Sequence, residues 1–353
     1  MFIGGGFPTN PIIGDFRYSS TIDAIDDLYA KYAYLPNINN LPILILMHGF
    51  HQHVSDFTNN DVFNRLARYG VFVCAVSMRG SDNASGSHDS SGRELYDILD
   101  AINYIKTNFS NVVDVNRVAI IGYSGGGASA LGCATRFPDT FTDVIAHFPI
   151  TDYGYNNPDG WWYFAVSSRP LIESSIGGNP ATVPNKYYSR AFNLGITNYT
   201  GGKLHLYHDN DDSIVPLINT QKVVQTLDSA SMTNYIVSYT SSVNFNRWLH
   251  ALPNAMASVR WTEDYWCSVV AKKVNPIWTV PVSGSIKVMG YLETKRFKIW
   301  LGDGTEHVAD VVYNTSTDSY IVTPLTGEMT VTITQGAKTA TQTISIETTI
   351  TVI

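Results

Sequence analysis

The stretch from Val118 to Gly132 reads VAIIGYSGGGASALG. An apolar run of strand length ends in Gly122, Tyr123, Ser124, Gly125 and Gly126, and small residues follow. The run reads as a buried strand and the small residues as a helix. The pattern G-x-S-x-G then falls on the sharp turn between them. Flanking side chains would clash in such a turn, so glycine has a mechanical reason to be there. The turn lifts the serine hydroxyl out of the sheet, and the helix N-terminus beyond it favours developing negative charge. The alternative is a glycine turn that presents nothing. The strand-turn-helix context points instead to Ser124 as a nucleophile.

The segments on either side share this character. LPILILMHG (from Leu41), VFVCAVSMRG (from Val71), DVIAHFPI (from Asp143) and GKLHLYHD (from Gly202) are short continuous apolar runs, and NYIVSYTSS (from Asn234) reads as a further strand. Helical patterns alternate with them: DVFNRLARYG, ELYDILDAINYIK, the segment after SIVP, and NAMASVRWTEDYWCSVVAKK. In the second of these, Leu95, Ile98, Leu99, Ile102 and Ile105 fall on one helical face. Strands apolar throughout, alternating with helices, predict a parallel sheet covered on both faces, an α/β architecture.

The character changes after VNPIWTVP. The remaining residues are rich in Thr, Val, Ile and Tyr, with turn signals such as GDG and LTG. They predict a small all-β sandwich. The expected organisation is a catalytic domain over 1–280, with an insertion at about 151–200, and a β-sandwich accessory domain over 281–353.

Composition bounds the function. The chain of 353 residues is long enough for more than one domain, and it carries a net charge of −7. That charge gives no electrostatic case for nucleic acid. No apolar run approaches the roughly 20 residues a membrane helix needs. The start, MFIGGGFPTNP, lacks a basic and an apolar region, so no signal peptide is expected. The compartment stays open, with extracellular or virion-associated and cytoplasmic placements both retained. Cys74 and Cys133 read as small buried hydrophobes, Cys267 follows Trp266 in an expected helix, and no zinc or other metal site is expected.

Serine needs a base to become a nucleophile, and the base needs an orienting acid. LHLYHDNDDSIVP offers Asp209, Asp211 and Asp212 just after a strand. His250, in NRWLHALPNAM, lies after the next strand and before the closing helix. His147 and His205 lie within strands and read as packed residues. Arg79, at a strand end, reads as an ion-pairing structural group.

Together these segments resemble the α/β-hydrolase superfamily over about residues 20 to 275. HGF, RGSDNASGS, ELYDILDAINYIK and GYSGGG are most similar to prolyl-oligopeptidase-type catalytic domains and to the acetyl xylan esterase/cephalosporin deacetylase group. The resemblance implies a serine hydrolase with no cofactor, an acyl-enzyme intermediate, and triad members in the chain order Ser, acid, His. Asp212 matches the acid of H-G-x-x-D-x-x-V-P, although Asp209 stands where that pattern has glycine, and Asp211 and Asp209 remain alternatives. His250 fits the base. The amide of Gly125 fits one oxyanion donor. Phe50 fits the second, with His51 as the alternative.

The insertion at 151–200 would cap the nucleophile and brings many aromatic residues. Tyr123, Tyr155, Trp161, Trp162 and His51 are the candidate substrate contacts. An extended strand there would send Trp161 and Trp162 to opposite sides. About 40 residues precede LPILILMHG, too few for the β-propeller of the oligopeptidases, which favours an esterase. The expected activity is that of a carboxylesterase acting on a small-molecule ester or an acylated polysaccharide. A serine peptidase is the alternative, and a non-catalytic scaffold is the reading from another class. A glycan or a protein is the candidate partner of the β-domain.

Overall fold

The computed structural model describes residues 10–57, 60–240, 255–272 and 278–353. A first sheet is built from β1 (Ile12–Tyr18), β2 (Leu28–Tyr34), β3 (Leu41–Met47), β4 (Phe72–Val76), β5 (Val113–Tyr123), β6 (Asp143–His147), β7 (Lys203–Asp209) and β8 (Tyr235–Thr240). Their order is β1-β2-β4-β3-β5-β6-β7-β8. From β4 to β8 neighbours run parallel, whereas β1–β2 and β2–β4 are antiparallel.

Periodicity explains the parallel part. Ile43, Ile45, Met47, Val118 and Ile120 enter one core, with Ile98 and Ile102 of α3 (Glu94–Asn108), Leu131 of α4 (Gly125–Arg136) and Val223 of α8 (Ile218–Ser229). Leu44, Leu46, Ala119 and Ile121 enter the other, with Phe63 and Leu66 of α2 (Asn60–Ala67) and Trp266 and Val270 of α9 (Ala255–Lys272). Successive strand residues face opposite sides, so a strand buried on both faces must be apolar throughout. Burying each such Leu or Ile stabilises the fold by about 1.5–3 kcal/mol.

Short elements complete this part. A one-turn helix, α1 (Val54–Phe57), follows β3. Between β6 and β7 lie α5 (Trp161–Phe164), α6 (Arg169–Ile176) and α7 (Pro184–Tyr188), with 3-10 turns at Phe192–Leu194 and Ile196–Asn198. The Trp161–Trp162 pair is therefore helical, so the condition of an extended strand there is not met. Gly160 starts that turn because its backbone touches Gly154, and a Cβ there would stand 2.4 Å from Gly154 Cα.

The C-terminal strands are β9 (Ser283–Met289), β10 (Tyr291–Glu293), β11 (Lys298–Leu301), β12 (Val308–Asn314), β13 (Ser319–Pro324), β14 (Met329–Gln335), β15 (Lys338–Ile344) and β16 (Thr348–Thr351). All pairs are antiparallel, in the order β15-β14-β11-β10-β9-β12-β13-β16. This single hydrogen-bonded order wraps one core that includes Val288, Phe297, Val311, Tyr320, Val331, Ile344 and Ile350. On the outer face Thr330, Thr332 and Thr334 meet Thr343, Thr341 and Thr339 with hydroxyl separations of 3.1–3.2 Å.

The β-domain docks on the end of α4. Asn198 donates to Thr135 O (2.9 Å) and Lys287 O (2.7 Å) and accepts the Lys287 N–H (2.9 Å). The Asp139 carboxylate accepts the amides of Val280 and Lys295, 3.1–3.2 Å away. The Arg136 guanidinium, fully buried, lies 4.5 Å from the Tyr291 ring centre. Truncating Asn198 would strip partners from three backbone groups at once, each costing about 1 kcal/mol or more when left unpaired. Asn198→Ala is therefore expected to lose about 3 kcal/mol in urea unfolding; a loss within about 0.5 kcal/mol would show that this contact does not hold the two parts together.

Candidate active site

Ser124 follows the last residue of β5 and precedes the first turn of α4, with φ 57° and ψ −117°. A non-glycine residue at positive φ carries strain that neighbouring structure must hold in place. Here the Ser124 N–H donates to His147 O (3.0 Å) and its carbonyl accepts from Ala128 (3.0 Å). The glycines are fixed by contact. A Cβ on Gly122 would stand 1.9 Å from Gly126 O, and one on Gly126 would stand 2.3 Å from Met47 O. A Cβ on Gly125 would stand 2.6 Å from Phe50 N. That last distance packs Gly125 against the Phe50 backbone nitrogen, next to a serine that is 8% exposed.

The loop carrying Phe50 is held by His48. Its Nε2 accepts the Met78 N–H (3.3 Å), so Nδ1 carries the proton and donates to Gly49 O (2.9 Å). The Gln52 side chain accepts the Gly49 N–H (3.0 Å). His51 has φ 53° and its ring lies 4.3 Å from that of His88. Burial lowers the pKa of His51. Burial first, and then the neighbouring histidines His51 and His48, lower His88 to about 4. Both rings are thus neutral near pH 7. His53 lies 3.9 Å from Asp82. His48, His51 and His53 therefore have separate local surroundings.

Register places the acid loop at the same end of the sheet. Tyr123 pairs with His147 and His147 with Tyr207, so Ser124 and the segment after β7 both lie beyond the C-terminal ends of parallel strands, where open α/β sheets bind ligands. Asp212 Oδ1 accepts the amides of Ile214 and Val215, both at 2.9 Å. Its side chain is buried and Oδ2 lies 3.6 Å from His208 Nε2. That nitrogen donates to Val215 O (2.8 Å), with Nδ1 at 2.7 Å from Thr220 Oγ1. Asp209 is buried and accepts the Asp211 N–H (2.8 Å), whereas Asp211 is exposed. Thr240, the end of β8, pairs with Asp209, so the chain leaves β8 at this same end. His250 lies outside the described residues.

The cap meets the site through Trp161. Its Nε1–H donates to Ile214 O (2.8 Å), and its ring stands 5.3 Å from that of Phe50, nearly perpendicular. Trp162 is engaged elsewhere: it donates to Glu173 (2.9 Å) and Arg169 lies 4.1 Å over its ring. Tyr155 stacks on Tyr188 at 4.2 Å. Tyr123 is 5% exposed and stacks on His147 at 4.9 Å. His147 is lowered to about 3 by burial. His205 is buried, 3.4 Å from Asp143. Arg79 makes two bonds to Asp97 (2.8 and 2.7 Å) and one to Asp23 (2.8 Å), so it is an ion-pairing group, as read.

The sequence reading passed over the loop at 88–92. His88, Ser90, Ser91 and Glu94 line a cavity of about 10 Å³ together with Gly49, Phe50, Gly125, Ser129 and Tyr153. Ser90 and Ser91 both have positive φ. Burial, and then the nearby Asp89 charge, hold the Glu94 carboxyl well above the usual carboxylate range. The one signal in the sequence was the pair of serines before a glycine in DSSGRE, which carries no motif.

The sequence profile of the prolyl oligopeptidase family matches residues 57–244, just over half of the chain. No curated protein matches it by sequence. Solved structures share the fold. The acylaminoacyl peptidase of Pyrococcus horikoshii is 17% identical with a TM-score of 0.60, over 78% of this chain and 43% of that one. A puromycin-hydrolysing peptidase of Mycobacterium tuberculosis is 17% identical with a TM-score of 0.59, over 75% and 41%. The esterase Est22, solved with p-nitrophenol, is 14% identical with a TM-score of 0.53, over 75% and 82%. The chain thus spans under half the length of these two peptidases. With its profile reaching from α2 past β8, and a serine set between glycines at the strand-to-helix turn, the chain belongs to the prolyl oligopeptidase family of serine hydrolases.

Proposed function

We propose that the chain is a carboxylic-ester hydrolase with Ser124 as nucleophile, His250 as base and Asp212 as the acid that orients it. The amides of Gly125 and Phe50 are the oxyanion donors. The observation that carries this reading is the strained Ser124 backbone, with Gly125 packed against the Phe50 backbone nitrogen beside it. Asp212 is favoured over Asp209 and Asp211 because two backbone amides fix its carboxylate and its side chain is buried.

Ser124 Oγ attacks the ester carbonyl while His250 takes its proton. The negative oxygen that forms is met by the two amides, each worth about 3–4 kcal/mol in the transition state. The tetrahedral intermediate collapses, the C–O bond of the ester breaks, and His250 returns the proton to the leaving alcohol. Water, deprotonated by His250, then attacks the acyl-serine and releases the acid. Small esters and acetyl groups on a polysaccharide are the proposed substrates, and a glycan or a protein the partner of the β-domain.

A peptidase is the second reading, favoured by the family and by the peptidases that share the fold. Hydrolysis of p-nitrophenyl esters from acetyl to decanoyl, run beside acetylated polysaccharide and a proline-site peptide, separates the two. Ser124→Ala is expected to lower kcat about 10⁶-fold and Asp212→Asn about 10⁴-fold. A folded Ser124→Ala that keeps its activity would sink the assignment, and peptide cleavage faster than ester cleavage would move it to the second reading. Labelling of Ser124 by a fluorophosphonate is expected, and its failure would favour a catalytically inert scaffold.

The oxyanion assignment has its own test. In Gly125→Ala the added methyl must push the Phe50 amide aside. The expected result is a fall of about 10²–10³ in kcat with little change in KM. An unchanged kcat would remove Phe50 from the site.

A further inference from the structure

The cavity at Ser90 and Ser91 is also lined by the two residues assigned as oxyanion donors. Gly49, Phe50 and Gly125 line one part of it, and its far wall is Ser90, Ser91 and Glu94. At about 10 Å³ it holds roughly one water-sized group, which is also the size of a methyl. Several of its polar groups bond to one another, whereas His51 Nε2 is buried without a hydrogen-bond partner. Ser91 Oγ lies 3.2 Å from Ser129 Oγ and 3.4 Å from the Tyr153 hydroxyl. Ser129 donates to Gly125 O (3.3 Å), and Glu94 accepts the amides of Ser91 (2.6 Å) and Asp89 (3.2 Å). An apolar methyl entering there separates none of these groups from its partner.

The far wall is fastened from behind. Arg190, fully buried, donates to Asp89 O (3.0 and 3.1 Å) and Ser90 O (3.2 Å) on one side and to Thr305 O (3.1 Å) of the β-domain on the other. Arg136 donates to the carbonyls of Ser91 (3.2 Å) and Gly92, and to Ser189 O (3.0 Å). The Tyr291 hydroxyl, from β10, donates to Gly92 O (3.0 Å). Two residues at positive φ need such external support, because their backbone strain is relieved by any movement.

We infer that this cavity is the acyl pocket, that it admits an acetyl methyl and rejects longer acyl chains, and that the β-domain fixes its far wall through Arg190, Arg136 and Tyr291. The inference rests on the hydrolase reading above and names its substrate class. Arg190, Arg136 and Tyr291 are positioning residues, since they act through the Ser90–Ser91 backbone.

The test uses the full chain and two phosphonofluoridates, one with a methyl and one with a butyl group on phosphorus. Ser124 Oγ bonds to phosphorus, fluoride leaves, and the base takes the serine proton, so labelling reads the pocket whether the enzyme prefers esters or peptides. The wild type is expected to react faster with the methyl reagent by about 10- to 200-fold. Tyr291→Phe, which keeps the ring and removes the bond to Gly92, is expected to cut that preference about 3- to 10-fold while Ser124 still labels. Arg190→Lys should act in the same direction if it folds. A role confined to stability would lower the melting temperature and leave the preference unchanged. Equal labelling by both reagents in the wild type would overturn the acyl pocket. An unchanged preference in folded Tyr291→Phe would overturn the wall. No labelling of Ser124 at all would refute the nucleophile, and the inference with it.

Discussion

Everything at the functional end of this molecule follows from how closely one strand end approaches one helix start. The carbonyl of Gly126 stands where a Cβ on Gly122 would be, and the carbonyl of Met47 stands where one on Gly126 would be. Three backbones, those of β3, β5 and α4, meet there without a side chain between them. That contact fixes how closely α4 approaches the sheet, and the same approach brings Gly125 against Phe50. No other residue type permits this approach, so the glycines matter for the side chain they lack.

The parts of the fold that were legible in the sequence were those buried on two faces. β3 through β7 and the helices between them show apolar runs and helical periodicity because both sides of that part of the sheet are covered. The hairpin of β1 and β2 was not legible. Its strands, IIGDFRY and LYAKYAY, mix charged, aromatic and apolar residues, because Arg17 and Asp15 share it with Phe16, whose ring stacks on Tyr104 at 4.3 Å. The helical turn at Trp161 was also hidden. It depends on the contact of Gly160 with Gly154, and no pattern in WWYF encodes that contact.

The turn at Ser124, its glycines and the loop after β7 could be placed from the sequence because strand ends and tight turns demand particular residues at particular spacings. The 88–92 loop could not. Its conformation is imposed by Arg136 and Arg190, which lie 44 to 101 residues away along the chain. In the sequence both look like ordinary surface arginines. In the fold both donate mainly to backbone carbonyls, among them those of Asp89, Ser90, Ser91, Gly92 and Thr305. The nearest acidic charge to Arg190 is that of Asp89 on the same loop, and nothing in the local sequence pairs the two.

α4 runs from Gly125 to Arg136, twelve residues, or about 18 Å of stiff rod. One end is the turn at Ser124. The other carries Arg136, stacked on Tyr291 of the β-domain, and ends beside Asn198, which grips Thr135 and Lys287 together. A load on the β-domain would therefore be passed along the rod to the turn at Ser124. The β-domain is in mechanical terms the handle of the enzyme.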